Sequence, residues 1–482
     1  MVDSNHQYHE DVYKALVNIV GPENVTREKC DLICYEKDFS LISTSLEYMP
    51  DYVIHLKTTE QASEVVKLAN KYKMPIVPRG GGTNQWGGSI PVKGGIVLDM
   101  RKMNSILSVD EENRTVTVQG GAVIRDVVNH LKKRGFFVAD KPDSWFAATV
   151  SARTQTNGIG YYNLRYGRFV DQVLCLEVVL PTGEVIKTGP SGVYDPSSGY
   201  DLTRLFSNAE GTLGIITEVT LRIHRLPEHR VVELIEFPTY EKLIETVMAI
   251  RDSGLVPETI ETMDGTCYNS YVQGTYAELY KEPPPEVPRD MGAMIAAYAG
   301  TRKWVEAQVE LAHELYQKFG GKPASNRMQE ALTVSKETHP YNPFPRNAAL
   351  AGKPGKYVFD GTVPLNRTAD VFRAYLKLVD KYEVEPFGIE TVNCAPDFHS
   401  AICARIHVDE SDEAEIEAAR KLEDEMQRYV IGIGGGIGGC GGIGMMRVRY
   451  AEAQHGPALE VMKKIKRLLD PNNIMNPGKK FE

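Results

Sequence analysis

Apolar residues recur along this chain with two spacings, and the switches between them mark out its elements. Residues 8–28 carry Val12, Leu16, Ile19 and Val20 at helical intervals, whereas 51–56 reads as a strand that begins the first domain proper. A helix follows. Thr58 or Thr59 caps it and Ala62, Val65, Val66 and Ala69 share one face. The chain then enters the apolar run 74–78, so 51–79 is a β-α-β unit. Further on, 95–99 and 114–119 are short strands, 123–134 is a helix, and 173–180 is a strong strand that turns at Pro181-Thr182-Gly183-Glu184 and returns over 185–188. A glycine-punctuated turn at 210–214 leads into a strand reaching Leu221. Helical spacing reappears at 240–252 and 304–319. The small-residue stretch 147–160 has neither period and is expected to be a specified loop lying close to something.

The run that starts at Met74 ends in Pro78-Arg79-Gly80-Gly81-Gly82-Thr83-Asn84. Consecutive glycines admit positive φ and place no side chain between backbone N–H groups and an anion, so a strand ending this way can cradle a pyrophosphate. A tight turn between strands would use the same residues.

Length and composition narrow the setting. A chain of 482 residues with 42% hydrophobic content is expected to fill two or three cores. The net charge of −9 and pI of about 5.8 provide no basic field, which argues against nucleic acid as a partner. The N-terminus lacks the layout of a signal peptide, and no stretch approaches the ~20 apolar residues of a membrane span. A cytoplasmic protein without a transmembrane segment is expected. The seven cysteines are odd in number and never spaced Cys-x-x-Cys, a pattern that supports neither disulfides nor zinc or iron–sulfur sites.

Four motifs occur in order: Arg79-Gly80-Gly81-Gly82-Thr83-Asn84, Thr156-Asn157-Gly158, the strand and turn 176–183, and Glu210-Gly211-Thr212-Leu213-Gly214-Ile215-Ile216. With the terminal Leu469-Asp470-Pro471-Asn472-Asn473-Ile474-Met475-Asn476-Pro477-Gly478-Lys479, the set resembles the FAD-linked oxidases of the vanillyl-alcohol oxidase and p-cresol methylhydroxylase (PCMH) superfamily. The resemblance spans most of the chain. It implies an α+β fold: a two-subdomain PCMH-type FAD-binding domain over 1–228, a cap domain with an antiparallel sheet flanked by helices over 229–430, and a segment 431–482 returning to the FAD domain. The polar, proline-containing seam 226–230 agrees with that division. Pro- and Tyr-rich stretches at 282–286 and 338–345 are expected to be surface loops or lids.

By the same resemblance, residues 78–84 with Pro142 and Asp143 hold the FAD pyrophosphate. Thr149, Val150, Ser151, Thr156, Asn157 and Gly160, with Glu210, Gly211, Gly214, Ile215, Ile216 and Asn476, line the ring and ribityl chain. Some family members attach the flavin through a histidine beside the glycine loop. Here Gly82-Thr83-Asn84-Gln85 holds no nucleophile, so a non-covalent FAD is expected.

In the cap, strand alternation over 398–408 puts Ser400, Ile402, Ala404, Ile406 and Val408 on one face and His399, Ala401, Cys403, Arg405 and His407 on the other. A guanidinium at Arg405 is suited to gripping a carboxylate; Arg153 is a second candidate cation. The 2-hydroxy-acid dehydrogenases of the superfamily carry two metal-binding histidines on the matching strand. The first falls at Val392 and only His399 remains. Their later Gly-Glu-His-Gly-Ile-Gly is represented by Gly439-Cys440-Gly441-Gly442-Ile443-Gly444, which lacks both glutamate and histidine. One ligand of three does not make a metal site. With the usual base absent, His399, His407, Tyr341 or Tyr161 would take the substrate proton. The glycines from 432 to 444 formally match a dinucleotide fingerprint but lie outside a β-α-β crossover, so they read as a hinge that lets backbone approach flavin or substrate.

The leading expectation is an FAD-dependent dehydrogenase that takes hydride from the carbon of a 2-hydroxy acid. Alternatives are a phenol or aryl-alcohol oxidase, for which Tyr161 and Tyr162 would supply an aromatic pocket, and a non-redox flavin enzyme or non-catalytic flavoprotein subunit. Without an iron–sulfur motif, electrons leave to oxygen, a quinone, a small carrier or a partner protein. A homodimer and a heteromeric complex both stay open.

Overall fold

The computed structural model describes residues 2–40, 48–195, 197–338 and 355–481. Tyr341 and the stretch 339–345 lie outside them. The amphipathic helix Val2–Val20 buries Val12, Leu16 and Val20, which join Ala62, Val65, Val66 and Ala69 of helix Thr59–Tyr72 in one core. Each fully buried valine contributes roughly 1.5–3 kcal/mol, so this four-residue spacing is what docks the first helix. The Thr58 hydroxyl accepts from Gln61 N at 3.2 Å as the N-cap of Thr59–Tyr72, and Lys73 closes that helix in the left-handed region at φ 53°.

Beneath them lies a four-stranded sheet in the order Val25–Thr26, Tyr52–His55, Ile96–Asp99, Ile76–Arg79, the last three parallel. Its open edge is closed by the far end of the chain. Ile76 N donates to Ile474 O at 2.6 Å and Asn476 N to Ile76 O at 2.7 Å. A second, five-stranded antiparallel sheet runs Ile106–Asp110, Thr115–Gln119, Ile215–Arg222, Val173–Val179, Val185–Lys187. Its core joins Val127 and Leu131 of helix Ile124–Lys132 to strand residues such as Val118, Leu176 and Val219.

The third sheet is antiparallel and seven-stranded, ordered Lys322–Pro323, His229–Phe237, Gly292–Gly300, Thr259–Asp264, Glu385–Cys394, His399–Val408, Gly355–Val363. Ile402, Ala404 and Ile406 of the central hairpin pack into a core shared with helices Tyr240–Ser253, Arg302–Lys318, Thr368–Tyr382 and Glu413–Gly432. The opposite face packs Met263, Ile295 and Phe387 against helices Gly265–Tyr280 and Asn326–Thr338, and its Glu261, Glu390, Cys403 and Arg405 share a cleft with N-terminal residues.

One expectation is corrected. Residues 147–160 are not an irregular loop throughout, because Val150–Thr156 is a helix of two turns closed by Asn157 at φ 46°. It is packed on nearly every side, so it needs no amphipathic period, and Thr154 and Thr156 fold their hydroxyls back onto Val150 O and Ala152 O at 3.0 Å each. Among the described residues, no helix is long and apolar enough to cross a membrane.

Candidate functional site

The strand Ile76–Arg79 delivers its glycines to the floor of a cleft between the N-terminal sheets and the cap sheet. A Cβ on Gly80 would lie 2.2 Å from Thr149 Oγ1, and one on Gly81 would lie 2.1 Å from Ala147 O. Gly82 turns at φ 67°. Only bare backbone can lie this close to the segment 147–152.

The loop is pinned at both ends. Arg79 donates to Lys37 O at 2.9 Å and stacks over Tyr35. Asn84 accepts from Trp86 N and Gly88 N, each at 2.9 Å, and donates to Gly441 O at 3.1 Å. Gln155, which nothing in the sequence singled out, accepts from Gly211 N at 3.1 Å and so ties the second glycine turn to the short helix.

The cleft is walled by residues 78–86, 141–144, part of 148–161, and Glu210, Gly211, Ile215 and Ile216. Thr149, Val150, Asn157, Gly214 and Asn476 stand behind that wall. Asn476, at φ 40°, donates to Glu210 O at 2.6 Å and Gly88 O at 3.0 Å. The Glu210 carboxylate accepts from Ile443 N at 3.0 Å and Gly444 N at 2.8 Å, holding the glycine-rich segment against the cleft. Gly439 fits because a Cβ there would meet Gly361 O at 2.6 Å.

The roof is one face of the cap sheet. Its register sets Glu390 beside Cys403, Gly388 beside Arg405 and Glu261 beside Val392, so Glu261, Glu390, Cys403 and Arg405 look into the same space. Arg405 Nη1 donates to Glu390 at 2.7 Å and to the Tyr271 hydroxyl at 3.2 Å, and that hydroxyl donates to Glu390 at 2.7 Å. Burial alone would lower the guanidinium pKa; Tyr271 and Glu390 more than offset it, so the pKa is raised and Arg405 stays a cation.

Other candidate residues stand elsewhere. His399 Nδ1 meets Asp397 at 2.6 Å and its ring faces Arg168, away from the cleft wall. His407 is buried beside Phe387, with ring centroids 5.3 Å apart. Arg153 does reach the wall, but Asp140 takes its guanidinium in a two-pronged bond at 2.8 and 2.7 Å, and it donates to Gly158 O and Ile159 O. It shapes the 157–160 turn. Tyr161 lines the cleft, whereas Tyr162 packs edge-on against it and lies under Arg230. Among the described residues, no group of three His, Cys, Asp or Glu is arranged to hold a metal ion. The expectation of no disulfide is corrected: Cys403 of the cap strand and Cys440 of the glycine segment are joined, 37 residues apart. Spacing could not show this, because the pair is made by tertiary approach of two unrelated segments.

Two family profiles divide the chain between them. Residues 50–189 match the FAD binding domain, and residues 226–480 match the C-terminal domain of FAD linked oxidases. This chain belongs to the FAD-linked oxidases. It is 32% identical over 479 residues to the glycolate oxidase subunit GlcD of Bacillus subtilis (strain 168), covering 98% of this chain and 97% of that protein. To the mitochondrial D-lactate dehydrogenase [cytochrome] of Arabidopsis thaliana it is 31% identical over 434 residues, 89% of this chain and 73% of that one. In fold, it superposes on 4-ethylphenol oxidase from Gulosibacter chungangensis with a TM-score of 0.82 at 20% identity, covering 98% and 96% of the two chains.

As an FAD-linked oxidase the chain is a flavoprotein oxidoreductase with the PCMH-type fold and an antiparallel cap sheet. The cleft fits the cofactor. Its floor is side-chain-free backbone at three successive glycines, and the buried Thr149 Oγ1 and Arg79 Nη1 have no hydrogen-bond partner among the described residues.

Proposed function

We propose that this flavoprotein oxidises the CH–OH group of a 2-hydroxy acid. One observation carries the reading: in the cleft that the glycine loop lines, a buried cation and a carboxylate, Arg405 and Glu390, stand 2.7 Å apart on the cap sheet. Oxidation of a hydroxy acid needs a cation for the carboxylate and a proton acceptor for the hydroxyl. Both are supplied here by adjoining strands. The names of the glycolate oxidase subunit and D-lactate dehydrogenase relatives agree with that substrate class.

Bound FAD supplies a two-electron acceptor for the hydrogen on the substrate carbon. The loop 79–84, with Pro142 and Asp143, would hold the pyrophosphate on backbone N–H groups, and residues of 149–160 and 210–216 would line the ring and ribityl chain. Arg405 orients the substrate carboxylate. Glu390, held by Tyr271 and Arg405, receives the hydroxyl proton, a role neither His399 nor His407 is placed to take. The flavin is dissociable, so acid precipitation should leave it in the supernatant; a yellow pellet would contradict this.

The division 1–228, 229–430 and 431–482 separates FAD, cap and returning segments in this reading. The protein acts in the cytoplasm and passes electrons to a quinone or an acceptor protein, as a homodimer or within a heteromeric complex. Anaerobic incubation with a panel of 2-hydroxy acids should bleach the flavin spectrum. If no member does so while dithionite bleaches it fully, the assignment fails.

A further inference from the structure

Cys403 and Cys440 have no part in the chemistry above, yet both line the cleft. Cys403 stands in the roof, flanked across the sheet by Glu390 on one side and Asp360 on the other. Cys440 hangs from the glycine segment. Its N–H donates to Asp360 at 2.6 Å and its carbonyl accepts from Ile159 N at 3.2 Å, placing it against the same 156–161 wall that faces the cofactor side.

A purely structural tie explains this pair poorly. The glycine segment is already held to the cap by the reciprocal Thr362 and Gly436 backbone bonds at 2.9 and 2.8 Å, and to the floor by Glu210 and Asn84. The tie spans Cα atoms 7.4 Å apart, in a segment whose neighbours on either side of Cys440 are glycines. Such backbone readily adjusts as the sulfurs part or join. Cys175, Cys267 and Cys394 are buried away from the cleft wall. Only the cleft holds a bonded pair among the described residues.

We propose that Cys403 and Cys440 are a redox-active dithiol–disulfide couple that exchanges an electron pair with the bound flavin, a second two-electron store in the same cleft. In the forward step the S–S bond breaks and two S–H bonds form, taking two electrons and two protons. The reductant is the dihydroflavin left by substrate oxidation, which returns to oxidised flavin. Summed over both steps, a CH–OH group becomes C=O and the disulfide becomes two thiols, with atoms and electrons balanced. The couple rests on FAD as the cofactor; only its natural reductant rests on the hydroxy-acid reading.

The test is an anaerobic dithionite titration of the full-length, flavin-loaded protein, followed by iodoacetamide quenching and peptide mass spectrometry. Wild type should take up four electrons per FAD before complete bleaching, and the C403A and C440A variants two. Alkylation of Cys403 and Cys440 should be absent in the oxidised protein and appear together during the titration. Uptake of two electrons by wild type, or free thiols at both positions in the air-equilibrated protein, overturns the proposal. Should the variants fail to fold, the wild-type electron count and alkylation pattern decide alone. Repeating the quench after adding a 2-hydroxy acid separates the two readings: thiols that appear with dithionite but not with any hydroxy acid leave the couple intact and count against the substrate.

Discussion

Gly81→Ala and Gly80→Ala should both weaken FAD binding, but only the second should be rescuable. A Cβ at position 81 would sit 2.1 Å from Ala147 O, about 1.3 Å short of the 3.4 Å at which ordinary contact begins. That oxygen is backbone and cannot rotate away, so the loop must lift from the short helix. Overpacking of this kind costs ~1–3 kcal/mol, which corresponds to a ~5- to ~150-fold rise in the FAD Kd. At position 80 the nearest atom is Thr149 Oγ1 at 2.2 Å, while Thr149 Cβ and Ala152 Cβ lie at 3.3 and 3.2 Å. Removing the hydroxyl with Thr149→Ala therefore leaves contacts a few tenths of an ångström too tight, and the G80A/T149A pair should recover most of the lost affinity relative to T149A alone. FAD titration of apo-protein by fluorescence, with circular dichroism to verify the fold, measures wild type, G80A, G81A, T149A and the two double variants G80A/T149A and G81A/T149A. A G81A Kd within twofold of wild type, or rescue of G81A by T149A to the extent seen for G80A, would refute the packing argument.

Arg405→Ala should raise the apparent KM for an acid substrate and lower kcat/KM by an amount equivalent to ~2–5 kcal/mol, since Glu390 would also lose its buried partner; unchanged steady-state kinetics would end its proposed role. Glu390→Gln should depress kcat far more than KM, and equal changes in both would point to a binding role instead. Burial pushes the Asp264 carboxyl up to about 7, although it accepts from Cys267 N and Ile389 N. A carboxyl whose folded pKa lies above its unfolded value of ~3.9 stabilises most at low pH, and that contribution is lost as pH rises through about 7. Over roughly three pH units at ~1.4 kcal/mol each this amounts to ~4 kcal/mol; urea unfolding of Asp264→Asn between pH 4 and 8, ~2 pH units either side of 6, should lack that slope, and a slope equal to wild type would disprove it. Arg447 is fully buried between Asp360 and Glu423 and over the Trp86 ring at 3.5 Å; Glu423 keeps Arg449 at 3.5 Å, but Asp360 would lose its cation, so Arg447→Met should cost ~3–5 kcal/mol, an effect an unchanged Tm would contradict.

What could be read in advance divides according to how local its cause is. Gly80, Gly81 and Gly82 announce themselves because the requirement for bare backbone acts on consecutive residues, and the period of two in 399–408 is enough to separate the cleft side, with Arg405 and Cys403, from the core side, with Ile402 and Ile406. The same alternation could not say how far along the strand the cleft extends, so His399 and His407 share a face with Arg405 yet fall beyond the wall at either end. Helix Val150–Thr156 escaped notice because a helix buried on nearly every side shows no apolar stripe.

The cap half of the site was hidden for a stronger reason: its parts meet only through register. Glu390 becomes Arg405's partner because Gly388 and not Glu390 sits directly opposite it, leaving the carboxylate one diagonal step away, within reach of the guanidinium. Glu261 enters from a third strand, and Tyr271 from a helix 119 residues before Glu390. A slip of one residue between Glu385–Cys394 and His399–Val408 would turn every cleft-facing side chain into the core, so the hydrophobic alternation that holds the hairpin together also fixes the chemistry of the roof. The same register brings Glu261, Glu390 and Arg405 into the cleft that the glycine loop lines, so its ionisable groups come from the sheet, while the glycine segment contributes Cys440 and Gly441.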